Sequence, residues 1–184
     1  MAVCVVEEDY RGEKRRAVEL GKKDAKDISA LYKKVWLKAY EYPKEWREKR
    51  AMSEEEVQKE MDAGYFFFGV RIAGKLVGVY KASVTERGTD RVRVCFGEQQ
   101  AVLPEYSAQG VASAMYEQFY EFARANKCKV NCVNILEGSE PCERAMKKFN
   151  FYKTGEPWEQ SKGMLVQTYE RKVQQNQDTQ DLAE

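Results

Sequence analysis

Gln109, Gly110, Val111 and Ala112 stand where a turn gives way to a long amphipathic helix. The first backbone N–H groups of a helix have no partner within it, and the helix dipole adds positive character at that end. Small side chains let a ligand approach the backbone, so the stretch reads as an anion site suited to a phosphate-bearing cofactor. Upstream, Val102-Leu103-Pro104-Glu105-Tyr106-Ser107-Ala108 leads from the end of an apolar strand through a tight turn into this helix. Other chemistry is excluded by composition. The chain has no histidine, which removes Ser–His and Cys–His nucleophile systems and most zinc chemistry. The five cysteines (Cys4, Cys95, Cys128, Cys132 and Cys142) are an odd set within or beside apolar segments. Cys128 and Cys132 fall inside an expected strand, not in a zinc-knuckle loop, so all five read as reduced thiols of a cytosolic protein that holds no metal.

The elements that must position this turn can be read from the rest of the chain. At 184 residues the sequence suits one domain with a real core. Its 31 basic and 30 acidic residues nearly cancel, so no global field recruits nucleic acid or an anionic membrane. Lys14-Arg15-Arg16 precedes an alternating Ala17-Val18-Glu19-Leu20 and reads as the solvated start of a strand rather than a nucleic-acid patch. No apolar run approaches the roughly 20 residues of a membrane span, and Met1–Val6 lacks the length and basic flank of a secretory signal. The expected organisation is a flexible arm over residues 1–14, a single domain over 15–173, and a disordered polar tail over 174–184.

Along the domain, Arg16 to Leu20 reads as a strand. Asp24 is placed as an N-cap, and Ile28, Leu31, Tyr32, Val35, Trp36 and Ala39 recur at helical spacing to about Tyr40, with Pro43 beyond. A second helix starts at Ser53, where Glu56 completes a capping box and Met52 and Val57 form a hydrophobic staple, and it ends near Ala63-Gly64. Strands follow over Tyr65–Ile72, Leu76–Val84 and Arg91–Val102, joined by turns at Ala73-Gly74-Lys75 and Glu86–Asp90. The helix after Gly110 presents Val111, Met115, Phe119, Phe122 and Ala123 on one face. Lys129–Leu136 is a strand, Ser139-Glu140-Pro141 opens a short helix, and Tyr152–Gly155 and Met164–Val173 pair around a loop at Pro157–Gly163. The order β-α-α-β-β-β-α-β-α-β-β implies an α+β mixed sheet, with the strand after the crossover helix parallel to the third meander strand.

Two spaced motifs within this order identify a resemblance. Val102-x-Pro104-x-Tyr106-Ser107-x-x-Gly110-x-Ala112 is similar to the V-x-P-x-[YF]-[RQ]-x-x-G-x-[GA] motif of the GCN5-related N-acetyltransferase (GNAT) superfamily. Ser139-x-x-Cys142-x-x-Ala145-Met146-x-x-x-Asn150-Phe151 resembles the family's N-x-x-A-x-x-x-Y-x-x-x-G-F. Ser107, Ser139, Met146 and Asn150 depart from these patterns, and Met146 stands where a tyrosine often serves as general acid. The resemblance implies that Gln100, Ala101 and Val102 pair with the pantetheine arm of acetyl-CoA much as an added strand would. It further implies that amides of Ala108, Gln109, Gly110, Val111, Ala112 and Ser113 cradle the pyrophosphate, and that Ser139 replaces an asparagine at the pantetheine end.

The activity so implied is direct transfer of an acetyl group from acetyl-CoA to a primary amine, either a small polyamine-like molecule or a protein amine. It needs a base for the amine, a donor for the oxyanion and an acid for the leaving thiolate. Glu98 is the candidate base. It lies on the strand ending at Val102, shares that strand's alternation with Gln100 and Val102, and occupies an offset used for proton relay in several family members. Gly97 beside it suits a bulge or close approach. The Val102 amide is the oxyanion donor by resemblance; Tyr152, Tyr106 and Cys142 are possible acids, and Asn134 has an orienting role. Tyr40, Glu41, Tyr42, Trp46 and Arg47 would recognise the amine, holding its alkyl stem through cation–π and carboxylate contacts. The protein is expected to act in the cytoplasm as a monomer or homodimer, without nucleic acid, membrane or metal. The alternative is a GNAT-fold module that binds acyl-CoA or a partner with little or no turnover.

Overall fold

Strand alternation and helical periodicity resolve into one layered sheet in a computed structural model that describes residues 15–175. The expected arm at 1–14 and the tail beyond residue 175 lie outside the described residues. In chain order the elements are β1 (Val18–Leu20), α1 (Ala25–Trp36), α2 (Lys44–Arg50), α3 (Glu54–Asp62), β2 (Phe66–Ile72), β3 (Lys75–Arg87), β4 (Val92–Val102), α4 (Val111–Ala125), β5 (Val130–Leu136), α5 (Glu140–Lys148), β6 (Tyr152–Ser161) and β7 (Met164–Lys172). Short 3-10 turns precede α1 and, at Pro104–Tyr106, α4. The sheet order is β1-β2-β3-β4-β5-β7-β6. β4 and β5 run parallel and all other neighbours antiparallel, as the single crossover through α4 requires.

Helices cover the sheet on both sides. On one, Phe68 packs between Tyr80 and Phe122, with ring centroids 5.2 and 4.9 Å away, and Tyr80 meets Phe119 edge-on at 5.7 Å. This is the α4 side. Glycines let α4 sit close: a Cβ on Gly97 would lie 2.9 Å from Phe119 Cζ, and one on Gly78 would fall closer than 3.0 Å to Val111. On the other side Ile28, Tyr32 and Val57 of α1 and α3 are fully buried. Ser53 and Glu56 form the expected capping box at 3.2 and 2.6 Å, worth about 1 kcal/mol. Met52 and Val57, the expected staple pair, are both buried.

Four local expectations are corrected. Asp24 precedes α1 but does not cap it. Its carboxylate instead accepts from the Gly21 N–H at 3.0 Å and from Arg71 at 2.8 Å, which ties the entry turn to β2. Helix α1 ends at Trp36, where three-residue turns replace helical bonds, and a separate helix α2 follows Pro43. Pro at the helix entry has no N–H to lose there, so it starts α2 as well as it stops α1. The segment Pro157–Gly163 is mostly strand, with the turn confined to Lys162-Gly163. Pro157 is tolerated because β6 is an edge strand whose register shifts between Thr154 and Trp158. Gln174 and Gln175, assigned to the disordered tail, are bonded to Tyr120 Oη at 3.0 Å and to the Cys128 carbonyl at 2.8 Å.

Candidate functional site

The turn into α4 leaves a run of backbone donors free. Tyr106 and Ser107 donate back into the 3-10 turn, and the first helical bond is Ala114 N–H to Gly110 O at 3.0 Å. Between them the N–H groups of Ala108, Gln109, Gly110, Val111, Ala112 and Ser113 meet no backbone carbonyl among the described residues. Gly110 is the N-cap and adopts a left-handed conformation (φ 75°), as does Ala108 (φ 62°). Left-handed residues turn successive N–H groups toward a common point, the geometry of an anion nest. Space over Gly110 is open, for a Cβ there would meet only Arg15, at 3.9 Å. Gln109 braces the turn through its side-chain amide, 3.1 Å from the Glu105 carbonyl. Glu105 itself holds Lys34 at 2.5 Å and Lys75 at 3.4 Å; this pairing lowers its pKa to about 2.

Beside the cradle the sheet opens. β4 and β5 pair only from Val94↔Val130 to Gly97↔Val133, so Glu98–Val102 have no β5 partner. Leu103 N–H bonds back to Val77 on β3 at 2.9 Å. Strand alternation therefore points the Val102 N–H the opposite way, toward the gap. Gln100 lines this gap, Ala101 is buried opposite Val79, and Val102 lies opposite Gly78. Ser139 is the N-cap of α5, and its hydroxyl does not bond the helix it precedes.

The position of Glu98 required a correction. The sequence places it on one face with Gln100 and Val102, but a β-bulge intervenes. Between the pairs Lys81↔Glu98 and Val79↔Ala101, β4 has two residues where β3 has one, and Gln99 takes φ 51°. The bulge reverses the alternation. Glu98 faces the α1/α3 side with Lys81, whereas Val102, opposite Gly78, faces α4. Gly97 was expected to suit a bulge or close approach, and the approach is the one to Phe119.

On its own side Glu98 lies 3.4 Å from Lys81 Nζ, which also contacts Glu60 at 2.6 Å and sits over the Tyr65 ring at 4.3 Å. A cleft of about 110 Å³ extends from here to the β4/β5 gap. Its wall beside Glu98 is aromatic: Trp46 stacks on Tyr42 at 4.3 Å and meets Trp36 edge-on at 5.4 Å. Arg50 lies 3.6 Å over the Trp46 ring. Among the described residues several buried polar atoms of this region have no hydrogen-bond partner, namely Tyr32 Oη, Trp36 Nε1, Arg50 Nε and Gln99 Oε1. Burial raises the pKa of Tyr32 far above the usual phenol range and lowers that of Arg50.

The expected recognition segment divides. Tyr42 and Trp46 line the cleft, but Tyr40 is 77% exposed. Arg47 is a strut, donating to the Tyr42 and Leu37 carbonyls at 3.1 and 2.7 Å. Of the candidate acids only Cys142 lines the cleft; Tyr152 is exposed and Tyr106 lies under Lys75. Met146 is fully buried in the core. Asn134 lines the cleft and accepts from Thr168 at 2.9 Å. Sequence reasoning missed Arg50, Gln99 and Tyr116, all lining residues. Trp46 and Arg50 are spaced i, i+4, a pairing legible once α2 is recognised as a helix.

A mixed sheet parted at its one parallel pair, with a helix start full of free donors beside the opening, is the architecture of acyl-CoA N-acyltransferases. The chain belongs to the acetyltransferase (GNAT) family, whose model matches residues 25–151, and it is an acyltransferase. Solved structures agree in fold. A GNAT-family acetyltransferase from Streptococcus pneumoniae superposes with a TM-score of 0.71 at 15% identity, over 87% of this chain and 99% of that one. The putative acetyltransferase yncA from Salmonella typhimurium, solved with its cofactor acetyl-CoA, gives 0.70 at 13% identity, over 92% and 100%. The PaiA N-acetyltransferase from Thermoplasma acidophilum, in complex with coenzyme A, gives 0.67 at 12% identity, over 86% and 98%. No curated protein matches the chain in sequence. Among the described residues no helix is long and apolar enough to cross a membrane.

Proposed function

We propose that this protein transfers an acetyl group from acetyl-CoA to a primary amine, both substrates being bound at once. The observation that carries the reading is the run of six N–H groups from Ala108 to Ser113, which meet no backbone carbonyl among the described residues and open beside the gap between β4 and β5. These donors suit the pyrophosphate, since converging amides at a helix start favour a dianion. Gln100, Ala101 and Val102 would pair with the pantetheine arm, and Ser139 would touch its end. Acetyl-CoA, when bound, supplies the acyl group as an activated thioester.

The chain's own residues have distinct tasks. Glu98 accepts the proton of the incoming amine, on the face it shares with Lys81. The Val102 N–H, pointing into the gap, supplies the oxyanion donor. Lys81 fixes the Glu98 carboxylate between itself and the cleft. The place of action on this reading is the cytoplasm, and the partner is an amine, small or carried on a protein.

A second reading, an acyl-CoA-binding module without turnover, is favoured by the burial of Met146, which leaves no proton donor at the position where the family often has tyrosine. One experiment separates the two. Acetyl-CoA at millimolar concentration raises the melting temperature on either reading, and release of free thiol with an amine panel occurs only on the first. Failure of acetyl-CoA to stabilise the protein overturns both.

A further inference from the structure

Arg50 is a charged cleft residue whose chemistry the transfer reaction leaves unused. It ends α2, and its guanidinium lies over Trp46 at 3.6 Å and within 5.7 Å of Trp36. The pairing of charges around it is uneven. Lys81 has two carboxylates, Glu60 and Glu98. Arg50 has no carboxylate within ion-pair distance among the described residues, and its buried Nε–H has no acceptor at all. A guanidinium N–H buried without an acceptor is costly, and such an atom in a native site calls for a partner that completes it.

We propose that Arg50 anchors the carboxylate of the amine acceptor, so that the substrate is a small amino acid rather than a polyamine. The inference rests on the acetyltransferase reading and deepens it. Three observations select this class. The face of Trp46 is already occupied by a cation, so it is not free to hold the cationic stem of a polyamine. The planar guanidinium fork matches a carboxylate with two parallel hydrogen bonds. A monoanion is favoured over a phosphate dianion, because Glu98 and Glu60 already contribute negative charge to this end of the cleft. The cleft volume of about 110 Å³ admits a compact molecule, with its ammonium group toward Glu98 and its carboxylate toward Arg50.

The test compares free α-amino acids with their carboxamides and with putrescine, by thiol release and by calorimetric titration into the CoA complex. The carboxamide keeps the amine and the shape and removes only the charge. Free acids should exceed their amides in kcat/KM by a factor on the order of 10², the value of a charge-assisted contact. Arg50→Gln should bring the acids down to the level of the amides, chiefly through KM, while Arg50→Lys restores part of the difference. An unchanged melting-temperature rise with acetyl-CoA verifies that the variants fold. Amides or putrescine performing as well as the acids would overturn the anchor, as would Arg50→Gln slowing acids and amides alike. If no amine releases thiol, calorimetry still decides. Acid binding lost in Arg50→Gln sustains the anchor while the transfer reading falls; absence of Arg50-dependent binding removes the anchor whatever becomes of the transfer.

Discussion

Replacing Gly78 by alanine tests whether contact between β3 and α4 sets the position of the anion cradle. Gly78 lies opposite Val102 on β4, and an added Cβ would come closer than 3.0 Å to Val111 Cγ1, with Met115 Sδ at 3.3 Å. Val111 is the first residue of α4 and only 1% exposed. A β-branched side chain in a helix has one strongly preferred rotamer, so it cannot simply turn aside. The helix start must move, carrying the donors of Gly110 to Ser113 with it. Overpacking of this kind costs about 1–3 kcal/mol. At this chain length each kcal/mol lowers Tm by roughly 2–4 °C, so a fall of about 2–12 °C is expected. The rise in Tm caused by acetyl-CoA should shrink as well. Val111→Ala alone removes about 2 kcal/mol of burial and packing, but it also removes the clashing methyl. The double variant should therefore be more stable than the sum of the single effects by about 1 kcal/mol or more. Guanidinium titration and thermal melting with and without acetyl-CoA measure both quantities. A Gly78→Ala change below about 0.5 kcal/mol, or strict additivity with Val111→Ala, would refute the reasoning.

The remaining expectations concern charge and thiols. Glu98→Gln should lower kcat by about 10²–10⁴-fold while leaving the acetyl-CoA-induced Tm rise intact; an unchanged rate would remove Glu98 as the base. Lys81→Met strands Glu60 and Glu98 without their shared cation. Because both carboxylates keep some solvent, the loss in a denaturant titration should sit at the lower end of about 3–5 kcal/mol. Lys34 and Lys75 lower the pKa of Glu105 to about 2 from the ordinary glutamate value of 4.5, so its contribution is present above pH 4.5 and is lost as pH falls toward 2. The pair is exposed, so Glu105→Gln should flatten the stability curve across that window by less than about 1 kcal/mol. Burial raises the pKa of Cys132 to about 12, and Cys95 is also buried with its pKa raised. Maleimide at pH 8 should label these two only after unfolding, as peptide mass mapping would show.

The helix start at Gly110 was legible because its causes are local. Gly110, the small residues after it and the apolar face from Val111 to Ala123 fix a helix start whatever the rest of the chain does. The parallel β4/β5 pair followed from element order alone. Three features escaped. Helix α2 carries no buried residue of its own and no apolar periodicity, so Lys44–Arg50 reads as a charged loop. β6 is an edge strand that is mostly exposed, and its Pro157 argues against a strand unless the edge position is known. The bulge at Gln99 is set by pairing with β3, which single-strand alternation cannot report, and it alone decides which side Glu98 faces. Arg50 went unseen for the same reason as α2: its meaning lies in the ring one helical turn before it.

The parted strands have a consequence for the protein before any ligand arrives. Most sheets expose unpaired backbone only at their outer borders, where charge, proline or a covering loop discourages intruders. Here the stretch from Glu98 to Val102, without a β5 partner, lies in the middle of the sheet. Any extended chain of suitable polarity can dock in it, including a loosened strand from a second molecule. On the proposed function, coenzyme A seated in the gap would also act as a stopper against self-association, and protein kept concentrated without it should be the form that clumps.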